Sequence, residues 1–208
     1  MKCNEKSLQK YLNDNDKDAA VLCALKMLEN QDISVVNLFE KVLIPGLINF
    51  SCGISKQECM WKYKVRKLIS NSIINSSYVY VIKQKKKSNN IKALVCCPLD
   101  EANEIFDDVV NDYLILAGYD SVNIGAESNY DEIENALQTT KSQILVLAVT
   151  NPMHIIRAKK LIEFLKKDYP SVKIAVYGPG FDLEANRDQL EFDYYITNYQ
   201  SVLKMEGK

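Results

Sequence analysis

Residues 91–208 carry five apolar runs of strand length, IKALVCCPL, SVNIGA, QILVLAVT, VKIAVYGPG and DYYIT. Most are apolar at successive rather than alternate positions, as befits strands buried on both faces. The stretches between them, EANEIFDDVVNDYLILAGY, YDEIENALQTT, MHIIRAKKLIEFLKKDY and LEANRDQLE, carry helical patterning. Strands alternating with helices predict a parallel sheet wrapped by helices. The fold class is α/β, with a flavodoxin- or Rossmann-like five-stranded parallel sheet. Ligands in such sheets bind outside the carboxyl ends of the strands. The informative loops are therefore PLDEANE, GAESN, TNPMH and GPGFD.

Residues 1–82 follow a different pattern. Apolar positions recur at three- and four-residue steps in DAAVLCALKML and VVNLFEKVLIPGLINF, which predicts helices. Asp16 or Asn15 caps the first of these, Ser55 and Glu58 form a capping box for a long final helix, and Pro45 kinks or breaks the helix that contains it. Four helices with short connections predict an N-terminal four-helix bundle. The polar segment KQKKKSNN reads as a linker. The expected division is a helical cap at 1–88 and an α/β domain at 89–208.

The net charge of −1 hides an asymmetry, because residues 1–90 carry a net +7 and residues 91–208 a net −8. Opposed halves suit mutual attraction, an acidic partner or nucleic acid. No helix-turn-helix segment is recognisable, so direct nucleic-acid binding is not expected. The cluster Lys62, Lys64, Arg66 and Lys67 reads as a solvated helix face. Six cysteines without C-x-x-C or zinc spacing predict reduced, mostly buried thiols and a cytoplasmic location. The polar start MKCNEKSLQKYLNDND is not a signal peptide, and no apolar stretch approaches a membrane span.

Several segments in order along the chain resemble one family. NDKDAAVLCALKMLENQDISVVNLFEKVLIPGL, DDVVNDYLILAGYDSVNIG, LVLAVTNP, VYGPGFD and YYITNYQSVLK are similar to segments of the cobalamin-binding modules of corrinoid methyl carriers, methionine synthase and light-sensing cobalamin repressors. The resemblance implies a site at Glu101, Asn103, Phe106, Thr150, Gly178 and Gly180. After its first strand the family has an acidic residue, one residue, a cobalt-ligating His, two residues and a Gly. Here that stretch reads Glu101-Ala102-Asn103-Glu104-Ile105-Phe106. The acid remains, the ligand is an amide and the glycine is a phenyl ring. An amide is a poor cobalt donor beside imidazole, and a phenyl ring fills the channel that the nucleotide tail uses. The light-sensing relatives' Trp would fall near Ile54 and their Glu-His pair near Lys64 and Val65, so that photochemistry is not expected.

Other candidates are weaker. His154, the only histidine, lies near the ligand edge, as an axial ligand for heme or cobalt or as a residue of a helix's first turn. The GPG at 178–180 suits an anion or a tight turn. The acidic start Glu101, Glu104, Asp107 and Asp108 suits the helix dipole. The leading expectation is a non-enzymatic sensor or regulatory protein that has lost histidine ligation to cobalt. It would work through a partner, a transcriptional regulator or a methyltransferase, or as a homo-oligomer. Its ligand is unassigned: cobalamin held without a protein imidazole, heme, or none. The competing expectation is a corrinoid carrier for methyl transfer.

Overall fold

The computed structural model describes residues 3–51, 56–101 and 104–205, without the side chains of 56–58 and 104. The Ser55–Glu58 capping box and the positions of Asn103 and Ile54 lie outside the described residues. The chain divides into two compact units, Met1–Gln84 and Lys85–Lys208.

The first unit is helical. Helix α1 (Glu5–Asn13) starts at a reciprocal cap, in which Asn4 and Ser7 each satisfy the other's backbone N–H. Helix α2 (Lys17–Glu29) is capped by Asp16, which accepts the Ala19 N–H at 3.0 Å. Asn15 instead takes the left-handed turn before it, at φ 57°. Helix α3 runs as Val35–Asn37, a π-helical stretch Leu38–Leu43, and Ile44–Ile48. Pro45 therefore does not end the helix: it is the second residue of the closing α-helical stretch, directly after the π-helical one. The wide turn stands just before it, where its missing N–H and its ring disturb the ladder. Helix α4 (Lys56–Gln84) packs against α2 and touches α1 and α3. The core draws on Leu8, Leu12, Met27, Phe39, Ile69 and Ile73, all buried.

Two expectations fail here. Arg66 belongs to no solvated face: it is buried, three, four and seven residues ahead of the buried Ile69, Ser70 and Ile73. Cys59 is disulfide-bonded, whereas Cys3, Cys23, Cys96 and Cys97 are in no disulfide.

The second unit is a five-stranded parallel sheet of order β2-β1-β3-β4-β5. Its strands are β1 (Lys92–Cys96), β2 (Asp120–Asn123), β3 (Ile144–Ala148), β4 (Lys173–Tyr177) and β5 (Tyr194–Ile196). Every pairing is parallel. Strand β3 is buried throughout, and β1 is buried beyond Lys92. The edge strand β2 is half-exposed. Between the strands run α5 (Glu104–Ala117), α6 (Tyr130–Thr140), α7 (Ile155–Asp168) and the single turn α8 (Glu184–Arg187), and α9 (Tyr199–Leu203) closes the unit. The KQKKKSNN segment is no free linker beyond its first residues. The Lys86 N–H donates to Leu116 O and the Asn89 N–H to Gly118 O. Gly118, at φ 96°, lies so close to Lys87 that a Cβ would stand 2.5 Å from the Lys87 carbonyl oxygen.

Candidate functional site

The carboxyl ends of β1 and β3 are tied together by one carboxylate. The chain leaves β1 through the buried Cys97, and its loop carries Asp100 at φ 70°. That turn delivers Glu101, whose own N–H donates to Pro98 O. Glu101 is 3% exposed, and a buried carboxylate needs partners. It has three. Its Oε2 accepts the backbone N–H groups of Thr150 at 2.9 Å and Asn151 at 3.0 Å, and lies 3.2 Å from His154 Nδ1.

His154 ends a 3-10 turn, Pro152–His154, that precedes α7. Asn151 caps this turn by accepting the Met153 N–H at 3.0 Å. The imidazole is 20% exposed in its side chain. An ionised carboxylate only accepts, so the bond assigns the proton to Nδ1 and leaves the Nε2 lone pair of a neutral ring uncommitted. The pairing of an acid with an imidazole, which the resemblance puts within one loop, is here made between residues on two loops. A second ion pair, Asp100 with Arg157, joins the β1 loop to the first turn of α7 at the surface. The Thr150 hydroxyl is buried beside these bonds and has no hydrogen-bond partner among the described residues.

Phe106, Gly178 and Gly180 are packed against the protein itself. Phe106 is buried and packs on Tyr177, with ring centroids 6.0 Å apart. Tyr177 also meets Tyr113 edge-on at 6.4 Å, so these aromatics form core rather than an open platform. A Cβ on Gly178, at φ 107°, would lie 2.6 Å from Val149 O. One on Gly180 would lie 2.8 Å from both Val149 O and Val149 Cγ1. The glycines thus serve close packing of the GPG turn on the end of β3. The turn's amides are also spent, since the Gly180 N–H donates to Val149 O and the Phe181 N–H to Gly178 O. GPG is a tight turn, with no amide of those two left for an anion.

Acidic groups on α5 complete the region. Asn123 donates to Asp107 at 3.0 Å and to Asp108 at 3.1 Å. Burial, followed by the Asp107 charge, pushes the Cys96 and Cys97 thiols far up, so both are inert. Burial, with the Asp108 charge second, raises the Asp112 carboxyl to about 8. No group of three or more His, Cys, Asp or Glu side chains is placed to hold a metal among the described residues. Among them, no helix is long and apolar enough to cross a membrane.

The resemblance implies cobalamin, and the residues present do not fit a cobalamin whose nucleotide tail passes position 106. The Phe106 ring is buried against Tyr177, and the space beside both glycines is taken by Val149. The sequence reading identified Glu101 but not its partners. The available signal was a retained acid together with a single histidine six residues beyond β3.

Neither a protein-family model nor a curated protein matches the chain. Solved structures do. The monomethylamine corrinoid protein of Methanosarcina barkeri superposes with a TM-score of 0.80 at 15% identity, covering 95% of this chain and 93% of its own. The methanol:cobalamin methyltransferase complex MtaBC of the same organism gives a TM-score of 0.50 at 15% identity, covering 95% and 76%. The fold of this chain resembles that of the monomethylamine corrinoid protein.

Proposed function

We propose that this chain is a non-enzymatic regulatory protein on the corrinoid-carrier fold, acting by docking to a partner protein rather than by transferring a group. The observation that carries this reading is where the Glu101 carboxylate goes. In the architecture it resembles, that acid orients a cobalt ligand through the ligand's second ring nitrogen. In this chain it clamps the β3 loop through two backbone amides and His154, while Phe106, which stands in place of the glycine that the resemblance implies, is buried against Tyr177. The acid has become a structural tie. A solved neighbour is a methyltransferase complex, which supports a protein partner of that class. A transcriptional regulator is the other partner of this reading. A conformational signal between such a module and its partner requires only that the partner bind one state more tightly than another.

A corrinoid carrier for methyl transfer is the second reading. It is favoured by the match to a corrinoid protein over both units at a TM-score of 0.80. One experiment separates the two. Purified protein is mixed with hydroxocobalamin, adenosylcobalamin or hemin, desalted, and its visible spectrum recorded. The regulatory reading expects no retained corrin. A stoichiometric corrin spectrum overturns it in favour of the carrier. A retained Soret band that His154→Ala abolishes assigns the Nε2 lone pair to heme.

A further inference from the structure

Among its described residues the helical unit holds a buried cation without a counter-ion. Arg66, on α4, is 5% exposed. Its Nη1 donates to Gly46 O at 3.1 Å, and its Nη2 donates to Asn13 Oδ1. The guanidinium also stacks over Phe50, 5.2 Å from the ring centroid. Its Nε is buried and has no hydrogen-bond partner among the described residues. A guanidinium carries five N–H groups, and the two bonds named here engage only two of them. No carboxylate is among its contacts in the described residues. A buried charge ordinarily takes a paired opposite charge, so the arrangement lacks a partner.

The partner's place is visible. Arg66 borders a cavity of about 330 Å³ within the helical unit, bounded by α1, α3, α4 and the segment after α3. Lys41 stands on its wall as a second cation. Asn13, whose oxygen is committed to Arg66, has its NH2 as a donor, and Asn49 adds a second amide. Among the described residues no Asp or Glu lines the cavity, whereas Val42, Pro45 and Phe50 give it apolar wall. Two cations, amide donors and apolar wall form a receptor for an anion with a short hydrocarbon body. Gly46 keeps the guanidinium close to α3, since a Cβ there would already lie 3.3 Å from Arg66 Nη1. Burial also lowers the Arg66 pKa, a cost that a bound anion offsets.

We infer that this cavity binds a small organic carboxylate, with Arg66 as its principal anchor and Lys41 as its rim charge. The planar guanidinium matches a carboxylate, and a charge-assisted bond in a partly dry site is stronger than a neutral one. This site is lined by residues of the helical unit alone among the described residues.

The test follows the Arg66 Nε–H resonance of the whole chain by NMR while acetate, butyrate, succinate or inorganic phosphate is added at constant ionic strength, with chloride as reference. The expected result is a saturable shift with a carboxylate, stronger for butyrate or succinate than for acetate, and absent with chloride. Lys41→Gln, at an exposed position, weakens the affinity roughly threefold to tenfold, as for a partly screened charge. Arg66→Lys keeps the charge, loses the fork and weakens binding at least about tenfold, read by calorimetry because its reporter is gone. A shift that never saturates or that chloride reproduces overturns the inference. So does tighter binding of phosphate than of every carboxylate, or carboxylate affinity unchanged in Lys41→Gln.

Discussion

Glu101→Ala and His154→Ala separate a loop clamp from an imidazole holder. Removing the Glu101 side chain takes a charged acceptor from the N–H groups of the partly buried Thr150 and the exposed Asn151, and each such lost bond costs about 1–3 kcal/mol. The expected total is ~2–6 kcal/mol. His154→Ala removes one bond from a partly exposed ring, worth about 1 kcal/mol. Glu101→Gln keeps an acceptor but loses the charge, and falls between them. Urea unfolding followed by far-UV circular dichroism measures the three losses. Amide hydrogen exchange at Thr150 and Asn151 localises them: a loss of about 4 kcal/mol multiplies the opening constant there roughly a thousandfold. Equal costs for Glu101→Ala and His154→Ala, or unchanged protection of the two amides in Glu101→Ala, would refute the clamp.

Further outcomes follow from the same coordinates. Asp112 holds its proton to about pH 8 when folded, against an ordinary carboxyl at 3.8. Between these values the folded state binds a proton that the unfolded state lacks, so stability falls as pH rises from about 4 to about 8, by up to a few kcal/mol. Asp112→Asn flattens that slope in urea melts taken across the range. Asp193, where burial is outweighed by the Ile174 N–H and by Lys173 and Lys166, has a carboxyl held below its usual range. Its contribution is present above the unfolded pKa and is lost as pH falls through the folded one, so Asp193→Asn costs about 1–2 kcal/mol at pH 7 and little near pH 2. Gly180→Ala forces a Cβ against Val149 and lowers stability by about 1–3 kcal/mol in thermal unfolding. Asn103→His alone leaves the protein colourless after mixing with hydroxocobalamin and desalting, whereas Asn103→His with Phe106→Gly retains a corrin spectrum, folding being checked by circular dichroism.

The strands that were plainest in the sequence are those that the fold hides most. IKALVCCPL and QILVLAVT became β1 and β3, apolar because neighbours cover both faces. LEANRDQLE was harder. It yields only the turn Glu184–Arg187, since Leu183 is exposed and Arg187 is drawn back to the carbonyls of Phe181 and Asp182. The basic cluster on α4 misled because four cations in six residues look solvated, while the helical period turns Arg66 alone inward. At the site, the resemblance implied that the acid was kept and the imidazole lost. Where the carboxylate went depended on residues 49 to 53 positions away, and no local pattern encodes that distance.

Cys96 and Cys97 sit at the end of β1, wholly shielded, a few residues before Glu101. Neither thiol meets a reagent in solution until this end of the sheet comes apart. Their alkylation rate is therefore a clock for that opening, readable by mass spectrometry on unlabelled protein. It runs faster whenever Glu101 releases its loop and slower whenever a bound molecule holds the edge shut.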